Sequence, residues 1–498
     1  MTSLPDHARV AIIGAGFGGL GMAVRLVREG RRDFVVLERA AEVGGVWREN
    51  RYPGAACDVE SRLYELEAVP NPDWSRRFAQ QPEIRAYLES LVGDYDLGPH
   101  LALETSLEAA TWDEDAARWR IETSRGDLTA DVLVAAPGAL AEPRLPDLPG
   151  LDTFEGEAFH TAQWPDGVDL AGKRVAVIGT GASSIQVVPA IQPEVARLTV
   201  YQRTPAWVLP RRDKALSPRV RRLLDRVPPV RQALRGALYV RHEALGLVFR
   251  NLGIARVAAR IIALHLRHQV KDPDLREALR PDTTLGCKRL LLSDDYYPAL
   301  TRPNAEVVRG GAVALRPGGV VGADGAERPA DVVVFATGFH VTDYPFGERI
   351  VGRGGQTLRD AWGESPKAHV GTTVVGFPNL FFLQGPNTGL GHSSVLLMAE
   401  AQIEHVMNAL DVLDRADVAA VEPRPEAQAA FVAEVDRDMD RTVWMTGCES
   451  WYLDATGRNA ALWPGGVGAF RRRVEPFDAS EYRLWAPEPE PAAEPAHA

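Results

Sequence analysis

The chain has only three cysteines in 498 residues, Cys57, Cys287 and Cys448, and no two stand at CxxC spacing. That excludes a zinc ribbon and a local dithiol motif, leaves no metal site to expect, and fits a reducing cytoplasm in which thiols stay free. No uninterrupted apolar run approaches the roughly 20 residues of a membrane-spanning helix. The polar stretch Met1 to His7 is too short for a secretory signal peptide. Nor is there an excess of positive charge: the formal net charge is −11, which argues against nucleic acid as a general partner. What remains is an ordinary globular composition, 45% hydrophobic and 25% charged, at a length that implies about two to four domains.

Two βαβ patterns organise this length. Arg9 to Ile13 is a short apolar run that ends in glycines, followed by helical spacing from Gly19 to Glu29 and a second apolar run, Phe34 to Leu37. The pattern recurs at Arg174 to Ile178, a helix after Ser184, and Leu198 to Tyr201. Further strands are expected at Asp131 to Ala135, Asp331 to Phe335 and Leu380 to Leu383, with a long helix from Ser394 to Leu413. The fold class is therefore α/β, with two Rossmann-like dinucleotide-binding domains, one inserted in the other. The expected layout is residues 1–145 and 336–485 as two parts of the first domain, 146–335 as the second, and 486–498 as a disordered Pro- and acid-rich tail. A helical basic insert spans about 211–285. Within 211–271 the charge balance is +12, so the rest of the chain carries −23. This insert reads as helices with a solvated basic face, as an interfacial element that touches anionic lipid or delivers a lipid-like substrate, or as a surface that attracts NADPH by charge.

Gly14-Ala15-Gly16-Phe17-Gly18-Gly19 is GxGxxG between a strand and a helix. Its glycines allow a tight turn, backbone approach to a pyrophosphate and close helix–strand packing, and the helix N-terminus supplies amide donors. Glu38, at the end of the next strand, is placed to bind a ribose hydroxyl. The second loop is Gly179-Thr180-Gly181-Ala182-Ser183-Ser184, with a serine in place of the third glycine. After its next strand comes Arg203-Thr204 instead of an acid, which favours a 2′-phosphate and hence NADPH over NADH.

Between the loops, Phe154 to Pro165 reads FxGxxxHxxxWP, and Gly44-Gly45-Val46-Trp47 leads to Tyr52-Pro53-Gly54 and Asp58. With both nucleotide loops, these strings resemble the type I Baeyer–Villiger monooxygenases over residues 8–475. The resemblance implies FAD in the first loop, beside Gly45, Trp47 and Tyr64, and NADPH in the second. It implies that Lys288 assists at the NADPH phosphate and that Arg289, oriented by Asp58, is the active-site cation. It assigns cofactor contacts to Ala336-Thr337-Gly338, to Val395 at the end of the Gly385 loop, and to Trp451 on a mobile loop. Reduced flavin and O2 would then give a C4a-peroxyflavin that converts a ketone to an ester or lactone. A nearby arginine suits this chemistry, because it favours the anionic oxidant and keeps its own proton. His160 reads as a linker residue and Cys287 as a packing residue. The stretch Ala136-Pro137-Gly138 departs from the expected ATG.

Two rivals share the nucleotide loops: a flavin monooxygenase acting on nitrogen or sulfur, and an idle FAD/NADPH-binding redox sensor. The first usually lacks the Trp-Pro ending and the Lys-Arg pair. The basic insert points to an elongated or lipid-like ketone, while the oligomeric state is not legible.

Overall fold

The computed structural model describes residues 4–415 and 417–486; the expected tail lies beyond the described residues from 487 onward. The first glycine loop grows from the middle of an eight-stranded sheet. Strand His7–Ile13 runs parallel to Phe34–Leu37 on one side and to Gly126–Ala135 on the other, with Ile13 opposite both Leu37 and Ala135. Their central parts, residues 10–13, 34–37 and 132–135, are wholly apolar because both faces are covered there. Helices Phe17–Arg28 and Val395–Leu413 pack on the face of Val10, Ile12, Val36 and Val134. The alternate residues Ala11, Val35, Leu37 and Leu133 meet Trp112, Trp119 and Trp362 on the opposite face. Helix Val395–Leu413 buries 14 of its 19 residues, which is why its sequence is apolar nearly all round.

The chain leaves this sheet after Ala135 and re-enters it at Ile350–Val351 and Leu380–Phe382, the last lying parallel to Gly126–Ala135. In between it builds a second sheet of five parallel strands, in the order Ala305–Arg309, Arg197–Gln202, Arg174–Ile178, Val332–Phe335, Glu157–His160. Helix Ala182–Ile191 covers one face. A small antiparallel sheet of Ala312–Arg316, Gly319–Gly322 and Glu327–Pro329 covers the other, through Leu315 and Val320 against Val333 and Phe335. This small sheet has no counterpart in the sequence reading, since its strands are only three to five residues long. The expected Asp131 strand is also longer, because Gly126 to Ala130 pairs antiparallel with Arg118–Thr123.

The basic insert runs between Val208–Leu209 and Leu291–Leu292, which stand outside the second sheet. These two short strands pair with each other in parallel and close its root. Helices Pro218–Arg226, Pro228–Arg250, Leu252–Gln269 and Pro273–Ala278 fill the excursion, and Lys288 and Arg289 stand just before its closure. No helix among the described residues is long and apolar enough to cross a membrane.

Candidate active site

Both glycine loops show the geometry their sequences imply. In the first, a Cβ on Gly14 would meet the Ala136 carbonyl oxygen at 2.6 Å, and one on Gly19 would meet the Gly14 oxygen at 1.8 Å. In the second, a Cβ on Gly179 would meet the Ala336 oxygen at 2.3 Å. The middle glycines differ. Gly181 faces open space, and Gly16 has only the Gly45 backbone near it, at 3.6 Å. Neither helix start has a side-chain cap, so the amides after Gly16 and Gly181 remain free for an anion. Room beside the middle glycine and uncapped amides fit a pyrophosphate at each loop. Ser184 is fully buried with its hydroxyl unpartnered, so the serine is accommodated against the sheet.

Glu38 stands at the end of its strand with both oxygens in use: Oε2 accepts from Ala15 N at 2.8 Å, and Oε1 from Ala40 N and Arg48 at 3.0 Å each. A carboxylate has about four acceptor positions, so one is left for a ribose hydroxyl. Gly44 N donates to Ala15 O and lays the Gly45 loop across the first glycine loop. Trp47 Nε1 donates to the Tyr64 hydroxyl at 3.0 Å, and Tyr64 packs edge-on against Phe17. The side chain of Phe17 is therefore core, and only its backbone faces the loop. At the second loop, Thr180 Oγ1 donates to Thr204 O, and Lys288 Nζ donates to Thr204 Oγ1 at 3.2 Å. Burial and then the neighbouring Arg203 hold the Lys288 pKa down. Two mutually repelling cations beside a hydroxyl form a site whose charge calls for an anion.

Asp58 and Arg289 meet. Asp58 Oδ2 accepts from Arg289 Nη2 at 2.6 Å and from Nε at 3.1 Å. Asp58 is the main reason the Arg289 pKa rises, against the opposing effect of burial. The two side chains remain 24% and 33% exposed, so the pair lies at an opening and not in a sealed core. Tyr452 stands beside it with a buried, unpartnered hydroxyl, and burial pushes its pKa up to about 12. Trp451, 41% exposed, packs against Tyr452 with ring centroids 4.2 Å apart. Val395 opens its helix after the Gly385 loop, which Asn387 anchors to Asn459 O and Leu462 O.

The fingerprint histidine sits at a joint. His160 is fully buried at the end of strand Glu157–His160, its Nδ1 accepts from Ala162 N, and its ring meets Phe339 edge-on. Burial pushes its pKa down to about 4, opposed by the Gly338 backbone, so the ring is neutral. Trp164 packs edge-on against Phe159. Next to them the two connections between the sheets cross. Thr337 Oγ1 donates to Arg144 O, Arg144 N to Gly338 O, and His340 N to Glu142 O. Thr337 and Gly338 are thereby placed in this crossing, and Ala336 under Gly179. Ala136-Pro137-Gly138 takes the matching position under Gly14, where the contact is made by the Ala136 carbonyl and is indifferent to the following proline.

Three features escaped the sequence reading. Tyr52 donates to Gln186 Oε1, Gln186 Nε2 donates to Ala56 O, and a Cβ on Gly54 would meet Gln186 O at 2.6 Å, so the YPG turn latches onto helix Ala182–Ile191. Buried Glu60 pairs with Arg77, Arg241 and His242, while His242 Nδ1 donates to His392 O. This joins the insert to the loop after Asp58. Finally, Cys287 and Cys448 are joined by a disulfide across 161 residues, with Cα atoms 6.3 Å apart, and Cys57 alone is free. The expectation of three unpaired thiols is corrected: distance along the chain concealed a contact made only when the C-terminal loop folds onto the root of the insert.

A family model described as pyridine nucleotide-disulphide oxidoreductase matches residues 11–234, a stretch that holds both glycine loops but only Cys57 among the cysteines. A protein of Streptomyces coelicolor named Baeyer-Villiger monooxygenase is 50% identical over 97% of this chain and 94% of its own length. The structure of a cyclohexanone monooxygenase from Rhodococcus sp. Phi1 bound to NADP+ superposes with a TM-score of 0.87 at 30% identity, covering 97% of this chain and 100% of that one. A structure of OTEMO in complex with FAD and NADP gives a TM-score of 0.86 at 29% identity, over 96% and 99% of the two chains.

Proposed function

The chain belongs to the Baeyer–Villiger monooxygenases, and from that premise we propose that it uses FAD, NADPH and O2 to convert a ketone to an ester or lactone at Arg289 and Asp58. Bound FAD, reduced by NADPH, supplies the activation of O2; the protein's own residues do the rest. FAD is assigned to the first loop, with Glu38 at the ribose and Gly45, Trp47 and Tyr64 beside the ring. NADPH is assigned to the second, with Arg203, Thr204 and Lys288 as the 2′-phosphate site and Trp451 over the nicotinamide. In this reading residues 1–145 and 336–485 form the FAD domain, and 146–335 the NADP domain. Asp58 fixes the direction of the guanidinium, and Arg289, its proton held more tightly than usual, favours negative charge on oxygen at the reacting centre. The buried Trp47 and Tyr452 and the half-buried Tyr64 limit water there.

The observation that carries the reading is the Asp58–Arg289 pair, brought together from 231 residues apart beside the Lys288 site. We place the enzyme in the cytoplasm on its use of NADPH and not on its cysteines, since Cys287 and Cys448 are paired, and read its substrate as an elongated, lipid-like ketone reached through a peripheral membrane contact of the basic insert. The test is one assay of purified yellow protein with NADPH, O2 and panels of ketones and sulfides, with products identified by mass. Ketone plus one oxygen is expected. Sulfoxides alone, or NADPH oxidation with no oxygenated product, would overturn the assignment, and a preference for small cyclic ketones would overturn the lipid-like substrate.

A further inference from the structure

The surface of the basic insert is unlike the rest of the molecule. Of 17 exposed large hydrophobic residues among those described, 12 lie between Val220 and Leu264. They are not scattered. At about 100° per residue, Val230, Leu234, Val240 and Leu247 fall on one side of helix Pro228–Arg250, while the buried His242, Gly246 and Phe249 fall on the other. On the neighbouring helix Leu252–Gln269, Ile254, Val257, Ile261 and Leu264 share a strip only about 80° wide, and Ala255 and Leu266 are the buried residues of the far side. Val240, Ile261 and Leu264 are each at least 60% exposed. An amphipathic helix of a globular protein turns such a stripe inward; here two packed helices also turn one outward.

Cations border one of these stripes. Arg256, Arg260 and Arg267 flank one edge of the second strip, all exposed and without an ion-pair partner among the described residues. The acids of the region are few. Glu243 is held by Val467 N and His392, which leaves Asp213 and Asp225 against 15 cations in 211–271. Two apolar strips, one of them bordered by the unneutralised Arg256, Arg260 and Arg267, match a bilayer interface, in which side chains enter the acyl boundary and guanidinium groups meet anionic headgroups. A second copy of the chain fits poorly, because a symmetric contact would set a +12 surface against itself.

We propose that this outer face docks the enzyme on an anionic lipid surface, with helix Leu252–Gln269 and the outward side of Pro228–Arg250 lying in the interface. The inner side of the same helix reaches the candidate active site. His242 bonds Glu60 and the His392 carbonyl, Phe249 stacks on Trp444, and Arg235 donates to Arg62 O. Docking therefore sets the catalytic opening close to a membrane that dissolves apolar ketones. This deepens the ketone-oxidation reading and rests on it only for that last consequence, since the docking itself requires no turnover.

The test is flotation of the purified full chain with phosphatidylcholine vesicles, with and without phosphatidylglycerol. Binding is expected only with phosphatidylglycerol and should weaken as salt rises. The triple variant Arg256→Gln, Arg260→Gln, Arg267→Gln should lose about 100-fold in vesicle affinity, at about fivefold per charge near the surface. Val257→Ser with Ile261→Ser should lose about tenfold through the apolar contact alone. Equal binding to both vesicle types, no binding, or full binding by the triple variant would each overturn the proposal. So would a dimer in sedimentation that Ile261→Asp dissolves while vesicles are ignored. The same variants assayed on a water-soluble ketone separate the two readings: unchanged turnover with lost flotation supports docking, whereas absent turnover with intact flotation removes only the ketone oxidation.

Discussion

Replacing Asp58 by Asn changes one charge and almost no volume. The Asp58 carboxylate accepts two hydrogen bonds from Arg289, at 2.6 and 3.1 Å, both on the same oxygen. Because the two side chains are 24% and 33% exposed, water screens much of the bare attraction. A net loss of about 2 kcal/mol is then expected, within the range for a hydrogen bond to a charged group. Asn still offers an oxygen, so the guanidinium stays in place but no longer points one way. Spent wholly on aligning the cation, about 2 kcal/mol corresponds to roughly a 30-fold fall in the oxygen-insertion rate. The NADPH site does not include Asp58, so flavin bleaching under anaerobic NADPH should keep its rate. Under O2, NADPH consumption should continue while ester per NADPH falls and hydrogen peroxide rises. Unchanged ester yield per NADPH, or slowing of flavin reduction by the same factor, would refute the positioning role.

Arg289→Ala should still permit flavin reduction and give no detectable ester; full ester yield would remove it from the reacting centre. Arg203→Ala should raise KM for NADPH by about 10- to 100-fold, the loss of one charge-assisted contact, with KM for NADH unchanged in steady-state assays. Burial raises the Glu400 pKa to about 7, so the folded state binds more protons than the unfolded one between pH 4.5 and 7. Stability from this group is then fully present below pH 4.5 and lost as pH rises through 7, by up to about 3 kcal/mol. Glu400→Gln should accordingly raise Tm at pH 8 and leave it little changed at pH 4.5. Thiol titration of denatured, unreduced protein should find Cys57 alone, and all three cysteines after reduction; three thiols without reductant would refute the Cys287–Cys448 pairing.

Local patterns were readable in proportion to how local their causes are. The strands and helices around both glycine loops follow from apolar runs and glycine spacing within about 30 residues, and they stand where the sequence puts them. The meeting of Asp58 with Arg289 was legible only through family resemblance, since no periodicity connects positions so far apart. The Gln186 latch had no such signal: a glutamine on a helix looks like any solvated residue, and only the close approach of Gly54 gives it a role. The disulfide was hidden for the same reason. In the insert, composition gave the helices and their charge, while the direction of the apolar stripes depended on which faces the rest of the protein covers.

The crossing of the two connections near His160 also determines what motions the molecule is allowed. A single tether would let one sheet swing about the other in any direction. Here the chain passes over twice, and Arg144, His340 and Thr337 bind the passages to each other at one place. Two passages tied together resist sliding of one sheet on the other more than a single tether would. The latch of Tyr52 on Gln186 is a second tie on the same side, since Arg51 beside it pairs with Asp166 just past Trp164. Breaking the latch would leave the crossing to resist that sliding alone.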